Sequence, residues 1–101
     1  MHLVQMILPR YGNDGKSFDA GLFAEVRRTL LQRFGGVTAY TSAPAQGLWQ
    51  DGSRVERDQV VLYEVMVDAL DRAWWSAYRK ELEAKFEQQE LVVRALPMDR
   101  L

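Results

Sequence analysis

The chain has 101 residues, 48% of them hydrophobic, and a formal net charge of −1 from 13 basic and 14 acidic side chains. That length fits one domain with a core of its own, spanning 1–101. The balanced, interspersed charge gives no electrostatic footprint for nucleic acid or an anionic membrane. The absence of cysteine excludes a disulfide framework, a thiolate metal site and a thiol nucleophile.

Leu3 to Leu8 reads as a buried strand ended by Pro9. This opening run is too short for a signal-peptide core and lacks a basic flank, and no stretch approaches a membrane span, so a cytoplasmic protein is expected. Tyr11-Gly12-Asn13-Asp14-Gly15 is dense in turn residues. Ser17 or Asp19 can cap the helix that follows, because either side chain accepts orphan backbone N–H groups. Phe18, Leu22, Val26 and Leu30 form one apolar stripe, and Gly35-Gly36 stops the helix.

Val37 to Ser42 is the second strand, interrupted by Ala43-Pro44-Ala45 as a bend or bulge. Gly47 to Gln50 then runs into Asp51-Gly52, a hairpin turn signal, and Arg54-Val55-Glu56 returns antiparallel to it. Val60 to Val67 is the third strand. Asp68 or Asp71 caps a second helix whose apolar face is Trp74, Trp75, Tyr78, Leu82 and Phe86. Arg72 and Arg79 fall away from that stripe. Leu91 to Leu96 is the last strand, ended by Pro97.

Two strand–helix–strand units joined by an extended hairpin predict a ferredoxin-like βαββαβ fold of the α+β class. Right-handed crossovers put both helices on one face of a four-stranded antiparallel sheet. The fourth strand then neighbours the first, the first the third, and the third the second. A split topology with another strand order is the alternative.

Alternation assigns the two faces. Val4, Met6, Leu8, Val37, Ala39, Val61, Tyr63, Val65, Val67, Leu91, Val93 and Ala95 belong under the helices. The other face carries Leu3, Ile7, Val60, Leu62, Met66, Val92 and Leu96, and is too apolar for water alone. A second copy of the same face, in a homodimer, is its simplest cover. Arg94, Gln5, Glu64 and Tyr40 cross this face in that order, with Arg94 and Glu64 roughly 10 Å apart. A polar row in an apolar cavity can bind a small polar or anionic molecule. It can equally be a hydrogen-bonded network serving only the interface.

The remaining candidates are weaker. His2 lacks the second histidine that a metal site needs, so no metal is expected. Trp74-Trp75-Tyr78 can stack a ligand, but at helical spacing it reads as core. Arg10 and Tyr11, with the glycine-rich turn, can cradle an anion at the helix start, although the turn lacks a phosphate-loop spacing. Trp49 and Arg54 face each other across the hairpin, which reads as a dimer arm. RNA-recognition modules of this topology need open-face aromatics where Gln5, Ile7, Leu62 and Glu64 stand. Metallochaperones need cysteines, and Arg10 with Asn13 only loosely echoes an acylphosphatase anion loop.

Phe34-Gly35-Gly36-Val37-Thr38, followed by Gly47-Leu48-Trp49-Gln50-Asp51-Gly52, resembles a group of short, uncharacterised bacterial proteins with a Phe-Gly-Gly-x-Thr stretch and a Gly-x-Trp before a turn. The resemblance implies a dimeric ferredoxin-like α+β barrel and carries over no functional residue or cofactor. That wider assembly includes small-molecule monooxygenases, isomerases and decarboxylases. By fold analogy a cofactor-free enzyme is an alternative, with Glu64 or Tyr40 as acid or base and Arg94 as anion clamp. A pure protein-interaction module is the other.

Overall fold

The computed structural model describes residues 1–51 and 54–101, with side chains described for 1–41 and 59–101. The elements run β1 (His2–Pro9), α1 (Ala20–Phe34), β2 (Thr38–Asp51), β3 (Arg54–Val67), α2 (Arg72–Lys85) and β4 (Val92–Pro97). They form one antiparallel sheet in the order β2-β3-β1-β4, the ferredoxin-like arrangement.

β1 is a central strand, held by β3 on one side and β4 on the other. Its period-two sequence buries Val4, Met6 and Leu8 and leaves Leu3, Gln5 and Ile7 half-covered on the opposite face. β3 repeats the pattern with Val61, Tyr63, Val65 and Val67 inward. Both helices lie on that inward face. α1 supplies Val26 and Leu30, and α2 supplies Trp75, Tyr78 and Leu82, with Phe86 at its end.

Of the two capping candidates for each helix, the nearer one is used. Asp19 Oδ1 accepts from Gly21 N at 2.9 Å, and Asp71 Oδ1 accepts from Trp74 N at 3.0 Å. Gly35 ends α1 in the left-handed conformation (φ 79°), and its N–H donates to Leu31 O at 2.9 Å.

Several strand boundaries, and the cover over two inward-facing positions, differ from the sequence expectation. β2 starts at Thr38 and β4 at Val92, one residue late in each case, and β2 runs without a break into the hairpin. The expected interruption appears as a register shift: Tyr40 pairs with Leu62, and the next pair is Ala45 with Val60. β2 and β3 are thus continuous 14-residue strands paired from Thr38–Glu64 to Asp51–Arg54. The turn at Gly52 and the side chains of Trp49 and Arg54 lie outside the described residues; in the strand register Trp49 pairs with Glu56 and Arg54 with Asp51, not with each other. Ala39 and Ala95, expected under the helices, are exposed. They sit on the two edge strands, where two helices over four strands leave the margins open.

Candidate functional site

Among the described residues no helix covers the second face of the sheet. Leu3, Ile7, Val60 and Leu62 are half-buried there. Tyr40, Met66, Val92 and Leu96 stand 44–50% exposed around them. This is an apolar surface with a polar row across its middle.

The row is a continuous hydrogen-bonded ladder. Gln5 is the direct cross-strand partner of both Glu64 and Arg94. Arg94 Nε donates to Gln5 Oε1 at 2.7 Å, and Gln5 Nε2 donates to Glu64 Oε2 at 2.7 Å. Tyr40 OH donates to Glu64 Oε1 at 3.1 Å. The Gln5 amide therefore has a fixed sense, its oxygen toward the cation and its nitrogen toward the anion. Arg94 and Glu64 are joined through it rather than in direct contact.

All four sequence candidates come together, with one change of register. Thr38, not Tyr40, lies opposite Glu64, and Tyr40 lies opposite Leu62. Tyr40 reaches the carboxylate diagonally, a separation of about 7–8 Å that a long aromatic side chain spans. Gln5 and Glu64 are half-buried, while Arg94 and Tyr40 are exposed on the single chain.

The hydrogen bond to Glu64, and then its negative charge, push the Tyr40 hydroxyl above the usual tyrosine range. At neutral pH Tyr40 is a firm proton donor and a poor base. Glu64 accepts one bond on each oxygen and keeps lone pairs for a further donor.

A cleft of about 550 Å³ opens at this end of the row. Glu64, Thr38 and Met66 line it, together with Phe34, Gly35 and Gly36. The Phe-Gly-Gly-x-Thr stretch and the carboxylate thus share one cavity, a link that no sequence spacing announced. On the other side of the sheet's β4 edge, Arg94 joins Arg72, Trp75, Ser76 and Arg79 around a small cleft of about 230 Å³. Positions 72, 76 and 79 share a helix face. That spacing was the available signal for a second arginine-lined surface, although Arg79 already bonds Glu83 at 3.0 Å.

The other candidates fall elsewhere. His2 opens β1, half-buried, opposite Val67 and Pro97. Trp74, Trp75 and Tyr78 are packing residues: Trp75 stacks on Phe34 at 5.1 Å, Trp74 stacks on Tyr78 at 4.9 Å, and the Arg33 guanidinium sits 4.4 Å from the Trp74 ring centre. Arg10 and Tyr11 lie at the far end of β1, beside a separate cleft.

No protein-family model matches the chain, and no curated protein matches it. Solved structures do. The divalent cation tolerance protein CutA1 from Thermus thermophilus is similar to it with a TM-score of 0.65 at 14% identity, covering 99% of this chain and 86% of that one. CutA1 from Pyrococcus horikoshii gives 0.62 at 13% identity, covering 100% and 86%. A phage SAM lyase in complex with S-methyl-5'-thioadenosine gives 0.60 at 14% identity, covering 94% and 79%. At such identities the likeness establishes the ferredoxin-like fold and nothing finer.

Proposed function

We propose that this chain is a self-associating domain whose open sheet face pairs with a second copy, and that the ladder Arg94–Gln5–Glu64–Tyr40 sets the register of that pairing. The observation that carries the reading is a hydrogen-bonded polar row inside an otherwise apolar, helix-free face. Four strands of about six residues make a face on the order of 400 Å² in plan, and the β2–β3 extension adds about 200 Å². Accessible area exceeds plan area, so the face approaches the ~800 Å² per partner of a stable interface. Its four-strand part alone falls within the size of the largest apolar patch usual on monomers, about 300–600 Å².

The row further selects how two copies meet. Its cation lies at the β4 end and its carboxylate toward β2. A twofold axis along the row would lay Arg94 over the partner's Arg94. A twofold axis along the strands reverses the row and brings Arg94 toward the partner's Glu64 end. Charge favours the second, isologous arrangement, a homodimer.

A small polar molecule bound beside Glu64 is the second reading, favoured by the 550 Å³ cleft that ends on that carboxylate. The free lone pairs of Glu64 would serve a base role there, with the protonated Tyr40 bonded behind it to Oε1. The phage SAM lyase, of similar fold, is in complex with a nucleoside thioether.

Native mass spectrometry of freshly purified protein tests both. The first reading expects about twice the 11.7 kDa chain mass. Leu62→Lys, on the open face and clear of the core, should return a folded monomer. A wild-type monomer throughout the micromolar range sinks the pairing. A retained small molecule that Glu64→Gln abolishes, with the oligomer unchanged, moves the assignment to the cleft.

A further inference from the structure

On the helix side of the sheet, where β1 ends, a cleft of about 510 Å³ opens. Arg10 and Tyr11 form one wall, Ser17 and Phe18 another, and Phe23 and Arg27 of α1 close it. The intervening loop is tied down. Tyr11 and Ser17 form an antiparallel bridge, Gly12 N donates to Lys16 O at 2.8 Å, and Phe18 N donates to Arg10 O at 3.1 Å. Phe18 in turn meets the buried Phe86 ring edge-on at 5.0 Å.

Both guanidiniums are anchored on neutral oxygens. Arg10 Nη2 donates to the Thr41 carbonyl, and Arg27 Nη1 donates to the Tyr63 hydroxyl at 3.3 Å. Among the described residues neither arginine makes an ion pair. Among the described residues no carboxylate lines the cleft. Arg10 Nε is shut off from solvent and has no acceptor among the described residues. A buried donor without an acceptor is costly, and more so when it is charged. Buried charges in folded proteins are normally paired. Here two cations are positioned, unneutralised by any of the described residues, and turned to one aromatic-backed cavity.

We infer that this cleft binds a small organic anion, whose carboxylate or phosphate group is held by Arg10 and Arg27 and whose apolar body lies against Phe18 and Phe23. The guanidinium fork suits either head group. The volume falls within the range of small-molecule sites. This site lies on the opposite side of the sheet from the polar row and does not depend on the pairing proposed above.

The test is a titration of the whole chain followed by amide NMR, with benzoate, with inorganic phosphate and with benzyl alcohol as the neutral counterpart of benzoate. Saturable shifts are expected for amides of residues 10–18 and 20–27 with an anion and not with the alcohol. The anion that saturates at the lower concentration identifies the head group. Arg27→Gln should weaken binding about tenfold or more, the worth of one charge-assisted bond. Arg28→Gln makes the same charge change at an exposed position of the same helix and should leave affinity intact. If Arg27→Gln loses its dispersed spectrum, Arg27→Lys replaces it, keeping the charge but not the fork, and a several-fold loss is expected. No localised shift with either anion overturns the assignment. So does an equal loss in Arg28→Gln, or wild-type affinity in whichever Arg27 variant folds.

Discussion

Gln5→Met is the substitution that interrogates the ladder most directly. Methionine keeps nearly the same volume and reach, so no cavity forms, but it removes the amide that joins Arg94 to Glu64. Two bonds of 2.7 Å disappear, each to a charged partner. Bonds of that kind contribute about 1.5–3 kcal/mol when fully sheltered. Arg94 is exposed and recovers most of its loss from water, so its bond counts for a few tenths. Glu64 is half-buried and retains only the Tyr40 bond, so its loss is about 1 kcal/mol. The sum is about 1–2 kcal/mol, which lowers the melting temperature of a domain this size by about 5–10 °C. The assay is thermal and urea unfolding by circular dichroism, at concentrations where sedimentation reports monomer. A double-mutant cycle with Glu64→Met should return a coupling of about 1 kcal/mol, since the two side chains touch. Unchanged stability in Gln5→Met, or zero coupling, would show that the ladder does not hold in solution, and the register argument built on it would fall.

Other consequences are checked more simply. Ultraviolet difference titration should find one tyrosine in Glu64→Gln ionising at lower pH than in wild type, because the negative charge that helps raise Tyr40 is gone and an amide accepts a weaker bond than a carboxylate. The sign follows from linkage. The raised Tyr40 value adds stability that is complete below the unfolded value near 10 and is lost as pH climbs through the folded one, so Glu64→Gln should flatten the alkaline decline rather than the acid one. Phe86→Ala empties a site with no exposure, packed against Phe18 and Phe23 at 5.0 and 5.4 Å, and should cost about 3–5 kcal/mol by urea unfolding. Asp71→Ala should cost about 1 kcal/mol through the lost cap on Trp74 N, whereas Asp71→Asn keeps the cap and should cost less than ~0.5 kcal/mol, because its pair with Arg33 is exposed.

Much of this fold was legible because its signals are local. Period-two runs in β1 and β3, a four-residue stripe in α1 and a glycine pair at its end each reflect one element's own geometry. Ala39 and Ala95 were misread because alternation reports the face and not the cover. Helix cover depends on how far two helices reach over four strands. The ladder was legible in membership but not in register. The Ala43-Pro44-Ala45 bulge, lying beyond Tyr40, does not reveal which β2 residue meets Glu64, so Thr38 went unnoticed. Arg27 was missed because a charged residue on a helix defaults to solvent. Only the inward Tyr63, on a strand distant in sequence, shows that it turns toward the sheet. The cleft that joins Glu64 to Phe34-Gly35-Gly36 likewise depends on tertiary placement alone.

The ladder also bears on whether the open face can be covered at all. Burying an arginine and a glutamate between two sheets normally costs more than their attraction returns. Here the cost is reduced before any partner arrives, since Glu64 already holds two donors and Arg94 is already bonded through Nε. What a partner must still supply is acceptors for the terminal nitrogens of Arg94, and a reversed row offers them at its Glu64 end. The twofold arrangement along the row would instead set that guanidinium beside the partner copy's like charge. The apolar residues around the row, Leu3, Ile7, Leu62, Met66, Val92 and Leu96, would accept several registers with similar burial, because aliphatic contact is nearly indifferent to a shift of one strand. The polar row is not indifferent. In the proposed dimer the hydrophobic area would supply the adhesion, and the four polar residues would decide which of the possible adhesions is a single, defined pairing.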